Sequence, residues 1–295
     1  MGELVATERA GAYHCLTFAA PAVAELAEPA EPAEPGQFVA LAVGGDLSAH
    51  LLRRCFSIYR VSPSAAGGGT VEIVVAARGP GTRWLTELGP GDEVSIIGPL
   101  GHGFELPAEP VACVLVGGGY GSAPLFWLAA ALREHGCQVE MVLGAATADR
   151  LFGVVEAQRA RQARDGVTVT TDDGSAGVQG WVSDVLPDVI ARSRAGILYG
   201  CGPMAMLRSV TEVATAHGIT AQVAVEESMA CGIGVCMTCV MPVVGDDGLT
   251  RMVRTCVEGP VLRGDRVRWE AFENGLCRVP PDTYGAAAKS GADDD

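Results

Sequence analysis

Over the first third of the chain, apolar residues come in short runs broken by turn residues. Strand-length runs fall at 15–18, 37–43, 56–61, 71–76 and 93–97, bounded by Pro, Gly and Asp clusters such as Pro90-Gly91-Asp92. Short strands between turn signals predict an antiparallel β-barrel or sandwich over residues 1–106. From residue 107 the rhythm changes. Apolar strand patterns at 111–116, 139–143, 167–171 and 196–199 alternate with helical patterns at 122–135, 151–161, 182–191 and 204–217. That alternation predicts a doubly wound α/β unit with a parallel sheet over 107–218. From 219 to 277 regular helices fade while Gly and Cys crowd together, which predicts a small third unit. The tail, 278–295, is rich in Pro, Gly, Ala and Asp and is expected to be disordered. Residues 25–35 read as an exposed loop of polyproline character, and 64–69 as a hairpin end. The uncharged stretch between Glu109 and Arg133 could span a bilayer by length, but Gly117-Gly118-Gly119-Tyr120-Gly121 interrupts it. It reads better as strand, glycine turn and helix, so no membrane span is expected.

Composition narrows the partners. The chain has 295 residues, 48% of them apolar, which suits a globular protein of about two domains with an appendage. Lys and Arg total 21 against 35 Asp and Glu, a net charge of -14. Such a surface repels phosphate backbones and anionic lipids, so neither nucleic acid nor membrane is an expected partner. Residues 1–11 carry no basic and apolar leader pattern, so a cytoplasmic protein is expected. The 10 cysteines then read as metal ligands, catalytic thiols or buried fillers, not disulfides.

The cysteines give the sharpest signal. Cys231, Cys236 and Cys239 have the spacing C-x4-C-x2-C, and Cys256 follows at a distance. This is the plant-type [2Fe–2S] pattern, in which a loop supplies three thiolates and a distant segment the fourth. Gly232 and Gly234 let the loop curl so that its N–H groups face the cluster sulfurs. A structural zinc site usually pairs two C-x2-C elements, and only one is present. Of the others, Cys15, Cys55, Cys113, Cys137 and Cys277 read as buried fillers.

Weaker signals concern organic cofactors. On a barrel strand, Arg54 could clamp a pyrophosphate, Phe56 two residues on could pack against a flat ring, and Ser57 offers a hydroxyl. The plain alternative is a strand with an exposed Arg. Gly79-Pro80-Gly81-Thr82 opens a helical turn, which makes it a candidate anion site. Residues 98–104 read as a tight turn closing the barrel, with His102 a surface residue. Gly117-Gly118-Gly119-Tyr120-Gly121-Ser122 and Gly200-Cys201-Gly202 each follow a strand and open a helix. Glycine turns in that setting cradle dinucleotide phosphates at the carboxyl ends of parallel strands. The first departs from G-x-G-x-x-G at Ser122. Cys201 is either a neighbour of the nicotinamide or a small turn residue. Asp172 and Asp173, at a strand end, favour ribose hydroxyls and hence NADH over NADPH, or simply form a turn. No general acid or catalytic triad stands out, so no catalytic residue is assigned.

Taken in this order, the barrel motif Arg54-Cys55-Phe56-Ser57, then Gly81-Thr82, then the two glycine turns, resemble the ferredoxin–NADP reductase superfamily. The segment from Glu227 through Cys239, with Cys256-Val-Glu-Gly-Pro260-Val, is similar to the electron-transfer subunits of class 1B dihydroorotate dehydrogenases. Thr171-Asp-Asp-Gly-Ser175 and Gly180-Trp-Val-Ser-Asp184 share that resemblance, which runs from about residue 3 to residue 275. It implies FAD, a [2Fe–2S] cluster and NAD(H). It also implies a partner subunit carrying FMN and the dihydroorotate site, in a heterotetramer of two of each chain. By position, FAD would be held by Arg54, Cys55, Phe56 and Ser57, by the backbone of Val74, Val75 and Ala76, and by Gly81 and Thr82. NAD(H) would lie at Gly117, Gly119, Gly121, Gly200, Cys201 and Gly202, and the cluster on Cys231, Cys236, Cys239 and Cys256. The implied route, within de novo pyrimidine (UMP) biosynthesis, runs from dihydroorotate through the partner's FMN, the cluster and FAD to NAD+. FAD would convert one-electron into two-electron traffic, and the acid–base chemistry on dihydroorotate would belong to the partner. The family usually has Pro where Cys55 stands and often an aliphatic residue in place of Phe56, and 25–35 and 64–69 look like insertions. Competing readings are a subunit of a ferredoxin:NADP+ transhydrogenase or sulfhydrogenase, a non-enzymatic iron–sulfur flavoprotein sensor, and a zinc-stabilised binding module. Met229, Ile233, Val235 and Met237 around the cysteine loop either dock a partner or shield the cluster.

Overall fold

The structure is a computed structural model that describes residues 1–24, 33–45, 48–62, 68–163, 165–273 and 275–285. Most of the two expected insertions, 25–32 of 25–35 and 64–67 of 64–69, lies outside the described residues.

The first unit comprises β1 (Gly2–Ala10), β2 (Tyr13–Ala19), α1 (Pro21–Ala24), β3 (Phe38–Leu41), β4 (Arg54–Ser62), β5 (Thr70–Val75), α2 (Pro80–Glu87), β6 (Glu93–Val94) and β7 (Ile96–Leu100). The antiparallel sheet order is β6-β1-β2-β5-β4-β3-β7. Its two edge strands are consecutive in the chain, with only Ser95 between them. The sheet therefore curls until its ends nearly meet, which leaves little bare edge. Leu4, Leu16, Phe18, Leu41, Ile58, Ile73 and Val75 fill the interior. The hydrophobic pattern did not announce β1, because only Gly2 and Leu4 of its residues are buried and the rest carries charges such as Glu3, Glu8 and Arg9. The expected turn at 98–104 begins later, since β7 runs on to Leu100 and pairs with β3.

The second unit comprises β8 (Ala112–Gly118), α3 (Ala123–Glu134), β9 (Gln138–Ala145), α4 (Val154–Ala160), β10 (Gly166–Thr171), β11 (Val178–Gln179), α5 (Val182–Ser193), β12 (Ile197–Cys201), α6 (Met204–Ala216) and β13 (Thr220–Ala224). The order β11-β10-β9-β8-β12-β13 is parallel throughout. Strand order reverses between β8 and β12, where a doubly wound sheet opens a crevice at its carboxyl ends. The unit extends past the expected boundary at 218, because β13 pairs with β12 from Thr220 to Ala224. Its central Gln222 weakens the apolar pattern. That side chain is buried but satisfied, with Oε1 accepting from the Glu105 N–H and Nε2 donating to the Glu105 carbonyl, both at 2.9 Å.

The third unit holds β14 (Val240–Val244) paired with β15 (Thr250–Arg254), then β16 (Val261–Arg263), and β17 (Phe272–Glu273) paired with β18 (Leu276–Cys277). β16 crosses over to pair antiparallel with β13 at the edge of the parallel sheet. Residues 278–285, expected to belong to the disordered tail, lie on this unit. The Tyr284 N–H donates to the Thr250 carbonyl at 2.8 Å, and Asp282 pairs with Arg268. Residues 286–295 lie outside the described residues. Among the described residues, no helix is long and apolar enough to cross a membrane.

Aromatic rings join the first two units. Tyr13 and Tyr59 of the barrel meet Phe126 and Phe152 of the α/β unit edge to face, with centroids 5.5–6.2 Å apart. Polar ties flank them. Tyr59 and Arg60 both hydrogen-bond Glu156, and the Tyr13 hydroxyl donates to the Arg150 carbonyl. Since Phe152 touches both barrel tyrosines, Phe152→Ala should cost about 3–5 kcal/mol. A lowered urea midpoint would register that loss, and an unchanged midpoint would contradict this account of the joint.

Candidate cofactor crevice and cysteine loop

The crevice begins with a split in the barrel. β4 pairs with β3 through Arg54–Ser57 but with β5 only from Ile58 onward. The two strands therefore part, and the β5-facing edge of residues 54–57 opens on a cleft of about 280 Å3. Arg54, Cys55, Phe56, Ser57 and Val74 border it from the barrel, and Gly121, Cys201, Gly202, Glu226, Glu227 and Met229 from the other side. Backbone N–H and C=O groups on such an edge need partners, and a planar polar ring can supply them. An adjoining cleft of about 260 Å3 leads from Arg54 past Ala76 and Arg78 to Gly79, Gly81 and Thr82. Here the Thr82 hydroxyl accepts from the Arg78 and Gly79 N–H groups and donates to the Gly79 carbonyl, all within 3.1 Å. It fixes the turn that opens α2, whose N-terminus together with Arg54 suits a pyrophosphate. Gly81 is needed for that approach, since a Cβ there would lie 2.9 Å from Val43 Cγ2 and 3.5 Å from Arg54 Nε.

A third cleft of about 560 Å3 runs over the carboxyl ends of the parallel strands, bordered by Gly119, Tyr120, Gly144, Asp172, Trp181 and Met206 among others. The two glycine turns touch. A Cβ on Gly121 would stand 2.8 Å from Gly202 Cα, so no side chain fits between them. Gly117 and Gly200 sit behind this surface. A Cβ on Gly117 would collide with Ser122, and one on Gly200 would meet Leu207 and Val223, so both serve packing. Val75 likewise turns its side chain into the barrel core. Asp172 borders the large cleft, whereas Asp173 accepts from the Ser175 N–H and hydroxyl and so forms a turn. Cys201 is buried, which together with Glu226 pushes its thiol up to about 12 and keeps it protonated.

Sequence reading assigned no role to Tyr120, Glu226, Arg78 or Trp181. The Tyr120 hydroxyl donates to Glu226 Oε1 at 2.8 Å. Burial and that carboxylate raise the phenol well above its usual range, so it remains a donor. Trp181, 67% exposed, offers a flat apolar face on the rim. A large exposed aromatic beside a strand-end acid was the available signal.

The cysteine loop lies behind the first cleft. Gly232 and Gly234 take left-handed φ values of +72° and +80°, and Met237 one of 60°, so the loop coils tightly. The N–H groups of Val235 and Cys236 point at Cys231 Sγ, 3.3 and 3.5 Å away. Cys239 and Cys256 occupy the open end of the β14–β15 hairpin, where the Thr255 N–H donates to the Cys239 carbonyl at 3.0 Å. The thiols stand as two neighbouring pairs, Cys231 with Cys236 and Cys239 with Cys256. Two irons require two pairs of thiolates, so the donor set fits a [2Fe–2S] cluster. Among the described residues, no three His, Cys, Asp or Glu side chains surround a point suited to one ion. Desolvation opposes ionisation of Cys231, but backbone N–H groups, that of Cys236 foremost, hold it down to about 6. Burial pushes Cys256 up to about 12. A Cβ on Gly232 would stand 3.1 Å from Cys55 Sγ, so loop and first cleft share a wall.

Known proteins match both parts. The family described as the iron–sulfur cluster binding domain of dihydroorotate dehydrogenase B matches residues 226–268, and the oxidoreductase NAD-binding domain matches residues 115–212. The dihydroorotate dehydrogenase B (NAD(+)) electron transfer subunit of Geobacillus thermodenitrificans is 39% identical over 79% of this chain and 86% of its own. That of Desulforamulus reducens is 34% identical over 86% and 92%. A solved chain from a study of flavin-based electron bifurcation in an NADH-dependent reduced ferredoxin–NADP oxidoreductase superposes with a TM-score of 0.75. It is 31% identical, over 92% of this chain and 90% of that one. The FAD/NAD binding domain of a Vibrio cholerae nitric oxide dioxygenase, 21% identical with a TM-score of 0.62 over 74% of this chain and 93% of that one, shares the fold.

The thiol environments predict an order of reactivity. In metal-free protein at pH 7, iodoacetamide should label Cys231 and the exposed Cys236 before the buried Cys239 and Cys256. Because the Cys231 thiolate is lost as pH falls through about 6, its labelling should fade there. Peptide mapping reads both effects, and earliest labelling at Cys256 would contradict them.

Proposed function

The chain belongs to the family of dihydroorotate dehydrogenase B (NAD(+)) electron transfer subunits, and from that premise we propose how its surfaces divide the task. The slot between β4 and β5 takes the flavin ring of FAD, and the Arg54–Thr82 cleft its pyrophosphate. The large cleft takes NAD(H), and the four thiols of the loop and hairpin hold a [2Fe–2S] cluster. Bound FAD supplies the exchange between two-electron traffic with NAD(H) and one-electron traffic with the cluster. One observation carries this reading: the flavin slot touches the cysteine loop at Cys55 and Gly232 and meets the dinucleotide cleft at Tyr120 and Glu226, which border both. All three sites are thus contiguous. The chain's own residues bind, orient and exclude water, and none needs to act as a general acid.

The catalytic partner is an FMN-bearing dihydroorotate dehydrogenase chain, assembled two with two. Ile233, Val235 and Met237 are 51%, 75% and 53% exposed on the outer side of the cysteine loop, so they present an apolar face rather than close over the thiols. An apolar face beside the cluster suits docking of that partner. Asp172, bordering the large cleft, disfavours a 2′-phosphate and so favours NAD(H) over NADP(H). A second reading, a subunit of a ferredoxin:NADP+ transhydrogenase, draws support from the 31% identical solved chain. The dihydroorotate dehydrogenase relatives, at 34–39% identity, weigh more.

Reconstituted with FAD, iron and sulfide and mixed with a catalytic chain, the protein should reduce NAD+ at the expense of dihydroorotate. Reduction of NADP+ by reduced ferredoxin instead would favour the second reading. An unpaired charge buried in an apolar interface costs several kcal/mol, so Met237→Asp should abolish co-purification with the catalytic chain. Unchanged recovery would place the docking face elsewhere.

A further inference from the structure

Tyr120 borders all three clefts. It sits in the short turn Gly119–Ser122 at the end of β8, between a left-handed Gly119 and a Gly121 pressed against Gly202. The turn's backbone is therefore pinned while the side chain reaches out across the crevice. Its hydroxyl meets Glu226, which follows β13 on the far side. In the sheet β12 lies between β8 and β13, so this hydrogen bond spans the end of β12, and its two partners are the residues that border both the large cleft and the flavin slot. The ring is steadied by Tyr13, edge on with centroids 5.6 Å apart, and by the Arg78 guanidinium 5.3 Å from its centroid. Each of these contacts is weak and partly exposed, so they hold the ring without fixing it.

We propose that Tyr120 is a shutter: latched to Glu226, it closes the passage between the dinucleotide cleft and the flavin slot, and it swings aside when NAD(H) enters. This rests on the assignment of the two clefts given above. A single hydrogen bond between a phenol and an exposed carboxylate shifts a closed-to-open ratio by about threefold to tenfold. The latch therefore closes the passage for most of the time yet yields readily to a ligand. A ligand that binds only the open form has its affinity reduced by the fraction open. Removing the latch should recover that loss.

The test is NAD+ binding to the FAD- and cluster-loaded, oxidised chain, measured by titration calorimetry, where no electron transfer intervenes. Tyr120→Phe keeps the ring and removes the hydroxyl. It should bind NAD+ more tightly, by up to about tenfold, and KM for NAD+ should fall in step. Tyr120→Ala removes the ring as well, and iodide should then quench the flavin's fluorescence more strongly than in the wild type when NAD+ is absent. Equal or weaker NAD+ binding by Tyr120→Phe, at equal flavin content, overturns the shutter, because the hydroxyl is then a bystander or a ligand of the dinucleotide. Unchanged quenching in Tyr120→Ala overturns it too. A wild-type chain that binds FAD but no NAD+ would overturn the assignment of the large cleft and the shutter with it.

Discussion

Between residues 54 and 57, β4 keeps its pairing to β3 and gives up its pairing to β5. Much of the rest of the molecule answers to that split. Backbone polar groups left on a strand edge inside a folded chain need partners, and water or a flat ligand with donors and acceptors can serve. The barrel interior remains intact beneath the gap, because Ile58, Ile73 and Val75 still fill it. The opening is thus held by a rigid floor. The α/β unit covers its other side with glycine turns that approach closely because they carry no side chains. The cysteine loop then abuts the gap at Cys55. Contiguity of three binding surfaces follows from one sheet that opens at one place.

Much of this was legible in the chain. The alternation of strand and helix patterns from 107 onward located the α/β unit, because buried parallel strands read as continuous apolar runs. The cysteine spacing located the loop, because thiolates that wrap two irons must be spaced closely and in a particular order. Other features left weaker traces. β1 buries only its first residues, so it carries almost no period. β13 hides behind Gln222, a polar residue whose partner is the Glu105 backbone, 117 positions away. Gly117 and Gly200 share a sequence context with Gly119, Gly121 and Gly202, and only tertiary packing separates those facing the crevice from those behind it. Tyr120 gave no sign of its place, because nothing local specifies where Glu226 will lie.

The cysteine unit also shows how a donor set is assembled from unlike parts. Cys231 and Cys236 belong to a loop that needs left-handed backbone at Gly232 and Gly234. Cys239 and Cys256 belong to a hairpin, and strand pairing brings them together. One pair is open and tends toward the thiolate form, whereas Cys256 is buried and protonated before metal arrives. Metal and sulfide would therefore meet the loop pair first.

β16 joins the third unit to the α/β sheet by pairing with β13. That short strand covers an edge that would otherwise present a row of free N–H and C=O groups to any neighbour. Trimming the chain ahead of residue 261 would do more than remove cysteine ligands. It would uncover a strand poised to recruit a second molecule, and the shortened protein would tend to self-associate. The small metal-binding appendage thus doubles as the hem that keeps the larger sheet from fraying.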